Sequence, residues 1–191
     1  MMFIQTEETP NPATLKFLPG KTILSKGTLE FKDKEEASKF SLARELFGNV
    51  NVKGVFIGKD FLTVSKSPDV EWEVLKPSIL SIMMDFFSSG GSIEVDEETA
   101  TKSSAENIKY SKEEQEIVQK INELLEERIK PAVAQDGGDI NFVKLQNGVV
   151  FLELRGACSG CPSSTITLKS GIENMLKYYI PEVVSVEAVN Q

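Results

Sequence analysis

Two cysteines and no histidine bound the chemistry open to this chain of 191 residues. Both cysteines lie in one short stretch, Cys158-Ser159-Gly160-Cys161, a spacing that lets two sulfurs ligate one metal centre or close a disulfide. Gly156 and Gly160, with the small residues Ala157 and Ser159, leave the backbone N–H groups unencumbered, able to face whatever the sulfurs hold. Pro162 suits the first turn of a helix, whose positive end would point at Cys161 and favour thiolate over thiol. Arg155 and Lys169 are candidate sources of further positive charge. Without histidine there is no Ser-His-Asp triad, no Cys-His dyad and no His-ligated zinc or haem.

The thiol pair admits several readings. Two reduced cysteines packed as small hydrophobes fit poorly in a Gly/Ser-rich loop of low packing volume. A strand, C-x-x-C and helix is the local arrangement of a thiol–disulfide oxidoreductase. Against that, the sequence after Cys161 yields one helix and one strand, too little to finish a thioredoxin fold, and Cys161 is followed directly by proline. For metal binding, structural zinc and Fe–S centres usually take four protein ligands, so one chain supplies half. Two chains, each giving Cys158 and Cys161, would complete a four-thiolate site on a two-fold axis. Such an interfacial site suits loading and emptying. Both the redox pair and a zinc-bridged dimer stay open beside it.

Composition narrows the partners. With 21 Lys+Arg against 29 Asp+Glu the net charge is −8, which opposes sequence-independent nucleic-acid binding and anionic membrane surfaces. No apolar run approaches the roughly 20 residues that span a bilayer. The first residues turn acidic at Glu7-Glu8 and carry no cationic segment, so neither a secretory signal nor a transit peptide is expected. The expected location is cytoplasmic, or the mitochondrial matrix if the sequence is a trimmed form. Both compartments keep thiols reduced.

The elements that must hold the thiols divide into two small α+β domains. A Ser/Gly-rich and then acidic stretch from Ser88 to Ser111 carries no apolar period and predicts a flexible linker over 91–110, between domains at 1–90 and 111–191. In the first domain, Met2–Gln5 and Thr14–Leu18 read as strands separated by Pro10-Asn11-Pro12. Asp33 and Glu36 resemble a capping box before a helix with Phe40, Ala43 and Phe47 on one face, and Gly48 stops it. Val52–Ile57 and Phe61–Ser65 read as a hairpin, and Ile79, Leu80, Met83, Met84 and Phe87 as a buried helix face. Ile93 and Val95 offer a further short strand.

In the second domain Ser111 and Glu114 form a capping box for a helix striped by Ile117, Ile121, Leu124, Leu125 and Ile129, which Pro131 kinks or restarts. Asp136-Gly137-Gly138-Asp139 then stops the helix and is read as structural. Ile140–Gln146 and Val149–Leu154 are strands joined by Asn147-Gly148, the strongest two-residue hairpin signal. After the thiol loop comes a helix with Leu168, Ile172, Met175, Leu176 and Tyr179 buried, ended by Pro181, and a last strand over Val183–Val189.

The stretch Gly156-Ala157-Cys158-Ser159-Gly160-Cys161-Pro162-Ser163-Ser164, then Thr167-Leu168-Lys169-Ser170-Gly171-Ile172-Glu173, resembles the signature of the NifU C-terminal-like (Nfu) iron–sulfur scaffold proteins. Asp136–Asp139 is similar to the same family, and Thr9-Pro10-Asn11-Pro12-Ala13-Thr14-Leu15-Lys16-Phe17 resembles the N-terminal domain that accompanies it. The resemblance covers all but the linker. It implies a non-enzymatic scaffold or carrier. Its 4Fe–4S cluster, with 2Fe–2S as the other form, would be held by Cys158 and Cys161 of a homodimer and passed to apo iron–sulfur client proteins. An upstream cluster donor is implied, as are client or partner contacts through residues 1–90.

Overall fold

Alternation along Thr14–Leu18 puts Leu15 and Phe17 on one side of a strand, and that side builds the core of the first half of the chain. The computed structural model describes residues 3–91, 108–159 and 162–189. The chain divides into two units, Met1–Thr101 and Lys102–Gln191, and each combines helices with a sheet, as the α+β reading expects. Of the expected linker, residues 92–107 lie outside the described residues, and with them the candidate strand at Ile93 and Val95.

In the first unit β1 (Gln5–Glu8), β2 (Thr14–Leu18), β3 (Leu29–Phe31), β4 (Val52–Ile57) and β5 (Leu62–Lys66) form one antiparallel sheet in the order β1-β2-β5-β4-β3. The connection between β1 and β2 is closed by its own side chains. Thr9 Oγ1 donates to the Thr14 carbonyl at 2.8 Å, and Asn11 Oδ1 accepts from Ala13 N at 3.0 Å. Helices α1 (Ser41–Leu46) and α2 (Trp72–Ser88) supply the rest of the core, which buries Phe17, Leu42, Leu46, Ile57, Leu62, Leu75, Ile79 and Met83.

Several expectations shift here. The first strand runs over Gln5–Glu8, not Met2–Gln5, because it pairs residue by residue with Leu15–Leu18. Asp33 accepts from Glu35 N and Glu36 N at 2.8 and 2.9 Å, but the turn it closes leads into a short 3-10 turn, Glu36–Lys39, whose N-cap is Glu35. Phe40 is extended, so Phe40, Ala43 and Phe47 do not share a helical face; α1 buries Leu42, Ala43 and Leu46 instead. The α2 stripe is Leu75, Ile79, Met83, Phe86 and Phe87, with Met84 41% exposed.

The second unit starts with α3 (Lys112–Leu124), whose capping box is complete: Glu114 N donates to Ser111 Oγ at 3.2 Å and Ser111 N to Glu114 Oε2 at 2.9 Å. Such caps contribute about 1 kcal/mol. The helix then widens into a π turn over Leu125–Ile129, with Lys130 N donating to the Leu125 carbonyl five residues back, and tightens again as α4 (Lys130–Gln135). Pro131 is the cause. It has no N–H for the Glu127 carbonyl, and its ring would strike that carbonyl in an unbroken α-helix.

Strands β6 (Gly138–Gln146) and β7 (Val149–Gly156) form the hairpin across Asn147 and Gly148, both with positive φ (52° and 75°), as a type I′ turn requires. Helix α5 (Pro162–Tyr179) crosses over to β8 (Ser185–Val189), which runs parallel to β7 in the order β6-β7-β8. Ile121, Leu125, Ile129, Val133, Ile140, Val150, Leu152, Ile172, Leu176 and Val186 form the core beneath the helices. Tyr179, expected inside, is 44% exposed. Among the described residues no helix is long and apolar enough to cross a membrane.

Candidate functional site

The crossover from β7 to α5 passes through the thiol loop, so the sheet and the helix between them fix where Cys158 sits. Strand β7 ends at Gly156, whose φ of +65° turns the chain out of the ladder. Ala157 N then donates to the Gly137 carbonyl at 3.1 Å, and Ser159 closes the turn by donating to the Gly156 carbonyl through N at 3.1 Å and Oγ at 2.9 Å. From the first turns of α5, Thr165 Oγ1 donates to the Cys158 carbonyl at 3.2 Å. Cys158 is thereby tied to both the strand end and the helix start. Cys161 lies outside the described residues.

Cys158 is a free thiol and only 5% exposed, and it belongs to the core cluster of the second unit. Its pKa is pushed up to about 12, by burial first and then by the carboxylates of Asp136 and Asp139. The thiolate expected beside the helix end is that of Cys161, which lies outside the described residues. Withdrawn from water and beside two negative charges, Cys158 is a thiol at neutral pH in the apo protein. Ligation to a metal centre would expel that proton.

Each of the two basic candidates pairs with a glutamate. Arg155 Nε and Nη2 reach Glu153 Oε2 at 2.9 and 2.8 Å, and Lys169 Nζ reaches Glu187 Oε2 at 2.8 Å. Neither is among the groups that shift Cys158. The turn Asp136–Asp139, read from sequence as a helix stop, does stop α4: Gly137 has φ +80° and its N donates to the Ala134 carbonyl at 3.1 Å. It is also the wall of the thiol site. Gly138 pairs with Gly156 in the ladder, and a Cβ at Gly138 would lie 2.5 Å from Cys158 Sγ. Two adjacent glycines, where a helix stop needs one, were the signal in the sequence.

Glu173 fixes the far side of α5. It accepts from Lys177 Nζ at 2.7 Å and from Val186 N of β8 at 3.0 Å, and these bonds, the lysine first, hold its carboxyl below the usual range. A depressed carboxyl stabilises the fold above its unfolded pKa of about 4.3. That contribution is lost as pH falls through the lower folded value. Thermal unfolding against pH should therefore show parent and Glu173→Gln converging below about pH 4, with the parent ahead near neutrality. A constant gap across that range would rule the linkage out.

Among the described residues no group of three or more Cys, Asp or Glu side chains is placed to hold a metal ion. Known proteins share both halves of the chain. A family model described as scaffold protein Nfu/NifU N terminal matches residues 4–90, and one described as NifU-like domain matches residues 121–187. The chain is 49% identical over 189 residues to the human (Homo sapiens) NFU1 iron-sulfur cluster scaffold homolog, mitochondrial, covering 98% of this chain and 72% of that protein. It is 48% identical over 188 residues to NifU-like protein 4, mitochondrial, of Arabidopsis thaliana, covering 97% of this chain and 65% of the relative. A NifU-like protein from Saccharomyces cerevisiae, solved by NMR, superposes with a TM-score of 0.46 at 28% identity, over 51% of this chain and 87% of its own.

Proposed function

This chain belongs to the Nfu family of NifU-like scaffold proteins, one family model matching each half, and from that premise we propose that it is a scaffold or carrier for iron–sulfur clusters. The observation that carries the reading is 49% identity across 98% of the chain to a relative named as an iron-sulfur cluster scaffold, in a chain that has one thiol pair and no histidine. The finer reading is a 4Fe–4S cluster held as cargo between two copies, each giving Cys158 and Cys161. Residues 111–191 hold the cargo, residues 1–90 meet clients, and 91–110 join them. The relatives named mitochondrial support the matrix as the location.

Transfer is ligand exchange. A client thiol loses its proton and forms an iron–sulfur bond as the bond from Cys158 or Cys161 breaks, and the departing thiolate takes up a proton. Iron and sulfide keep their oxidation states, so the carrier itself needs no turnover chemistry. The proton uptake is favourable at Cys158, whose apo form is the thiol.

Anaerobic reconstitution with iron and sulfide tests the reading by visible absorption, metal and sulfide analysis, and mass in solution. A brown dimer with one four-iron cluster per two chains is the expected product. A colourless monomer with redox-cycling thiols would sink it in favour of a disulfide chemistry. A colourless dimer holding one zinc would favour a structural bridge.

A further inference from the structure

The two glycines of the turn Asp136–Asp139 need separate explanations. Gly137 has φ +80°, a conformation that ends α4 and that a side chain resists. Gly138 has no such φ, and it begins β6 as an ordinary strand residue. The turn would accept alanine there on conformational grounds. What forbids a side chain is a neighbour. A Cβ on Gly138 would lie 2.5 Å from Cys158 Sγ, 3.0 Å from Cys158 Cβ and 2.7 Å from the Arg155 carbonyl oxygen.

We propose that Gly138 is a positioning residue for Cys158: the space its missing side chain leaves is the seat of the apo thiol, and a cluster ligand must leave that seat to serve. The seat is built from both sides. The Gly138–Gly156 pair and the bond from Ala157 N to the Gly137 carbonyl hold β6 against the loop, and Thr165 holds the Cys158 carbonyl from α5. Within this frame Sγ is directed at the start of β6, and the residue is 5% exposed. A thiol so placed is shielded from electrophiles and oxidants in the empty protein. A second chain can share a metal centre with it only after the side chain turns outward. The inference deepens the carrier reading and rests on it for what the released thiol does.

Alkylation of the reduced, apo full-length chain with iodoacetamide at one fixed pH, mapped to Cys158 by mass, tests the seat. In the folded parent Cys158 should react at least about tenfold more slowly than in the same chain in concentrated urea. Gly138→Ala places a methyl in the seat and should recover most of that factor while circular dichroism stays native. Gly171→Ala adds a methyl where nothing lies within 4 Å and should react like the parent. Equal rates for parent and Gly138→Ala would overturn the proposal, as would an equal gain from Gly171→Ala, which would mean general loosening. Should Gly138→Ala fail to fold, the folded-against-urea comparison of the parent decides: no protection means no seat. Reconstitution of the same proteins separates the two ideas. A parent that takes up no cluster defeats the carrier reading and leaves the alkylation result standing.

Discussion

Serine at either position 158 or 161 will leave the chain colourless after reconstitution, with a total and not a graded loss of the visible absorption. The size of the effect comes from counting. Every copy carries the substitution, so a dimer of either variant presents two of four thiolates, and hydroxyl groups are poor ligands for iron beside sulfide. Both variants should stay folded. Cys158 is buried, so Cys158→Ser leaves a hydroxyl short of partners at a cost of about 1–3 kcal/mol, to be read from the unfolding midpoint. Cys158→Ala separates that cost from ligation, since it loses the cluster without burying a new polar group. A Cys158→Ser protein that stays folded and still gains the parent's absorption would remove Cys158 from the ligand set. A variant that loses cluster only because it unfolds would be exposed by circular dichroism.

That prediction rests on residues legible in the sequence, because C-x-x-C is a local pattern. The rest of the site is not local. Gly138 reaches Cys158 because β6 and β7 pair in a register that sets Gly138 opposite Gly156, and nothing in the spacing between residues 138 and 158 states that register. The same distance in sequence hid Asp136 and Asp139 from the electrostatics of the thiol. The helix start after Cys161 can be read from Pro162, but the burial and the two carboxylates that hold Cys158 as a thiol cannot.

The elements show the same division. Ser111 with Glu114, and Asn147 with Gly148, specify their own backbone within four residues, and both motifs form as read. Strand β3, only Leu29–Phe31, has too few residues to show alternation and exists because β4 is there to pair with it. Around Phe40 the period of apolar residues misled, because a 3-10 turn and a six-residue helix break the 3.6 repeat before a face can form. The π turn before Pro131 was half legible. Proline announces a disturbance but not whether the chain will kink, stop or widen.

Truncating Phe17 to alanine should strongly destabilise the first unit and leave cluster loading intact. Phe17 is fully buried in β2, paired with Thr6 and Leu62 on either side, and its ring lies in the core shared by α1 and α2. Phe→Ala at such a site costs about 3–5 kcal/mol. A small domain has on the order of 5–15 kcal/mol in all, so a large share of the reserve goes. The corresponding fall in its unfolding temperature is on the order of 20 °C, visible by calorimetry as one of two transitions moving alone. Both thiols, and every described group that positions Cys158, belong to the second unit. Absorption per chain after reconstitution should therefore match the parent, while delivery of the cluster to an apo client, which the proposed role of residues 1–90 requires, should slow. Loading that fails in step with the first unit's unfolding would place that unit in the cluster site. Delivery that stays at the parent's rate would take client contact away from residues 1–90. Because loading and delivery are read separately, one substitution tests both assignments, and each can fail without the other.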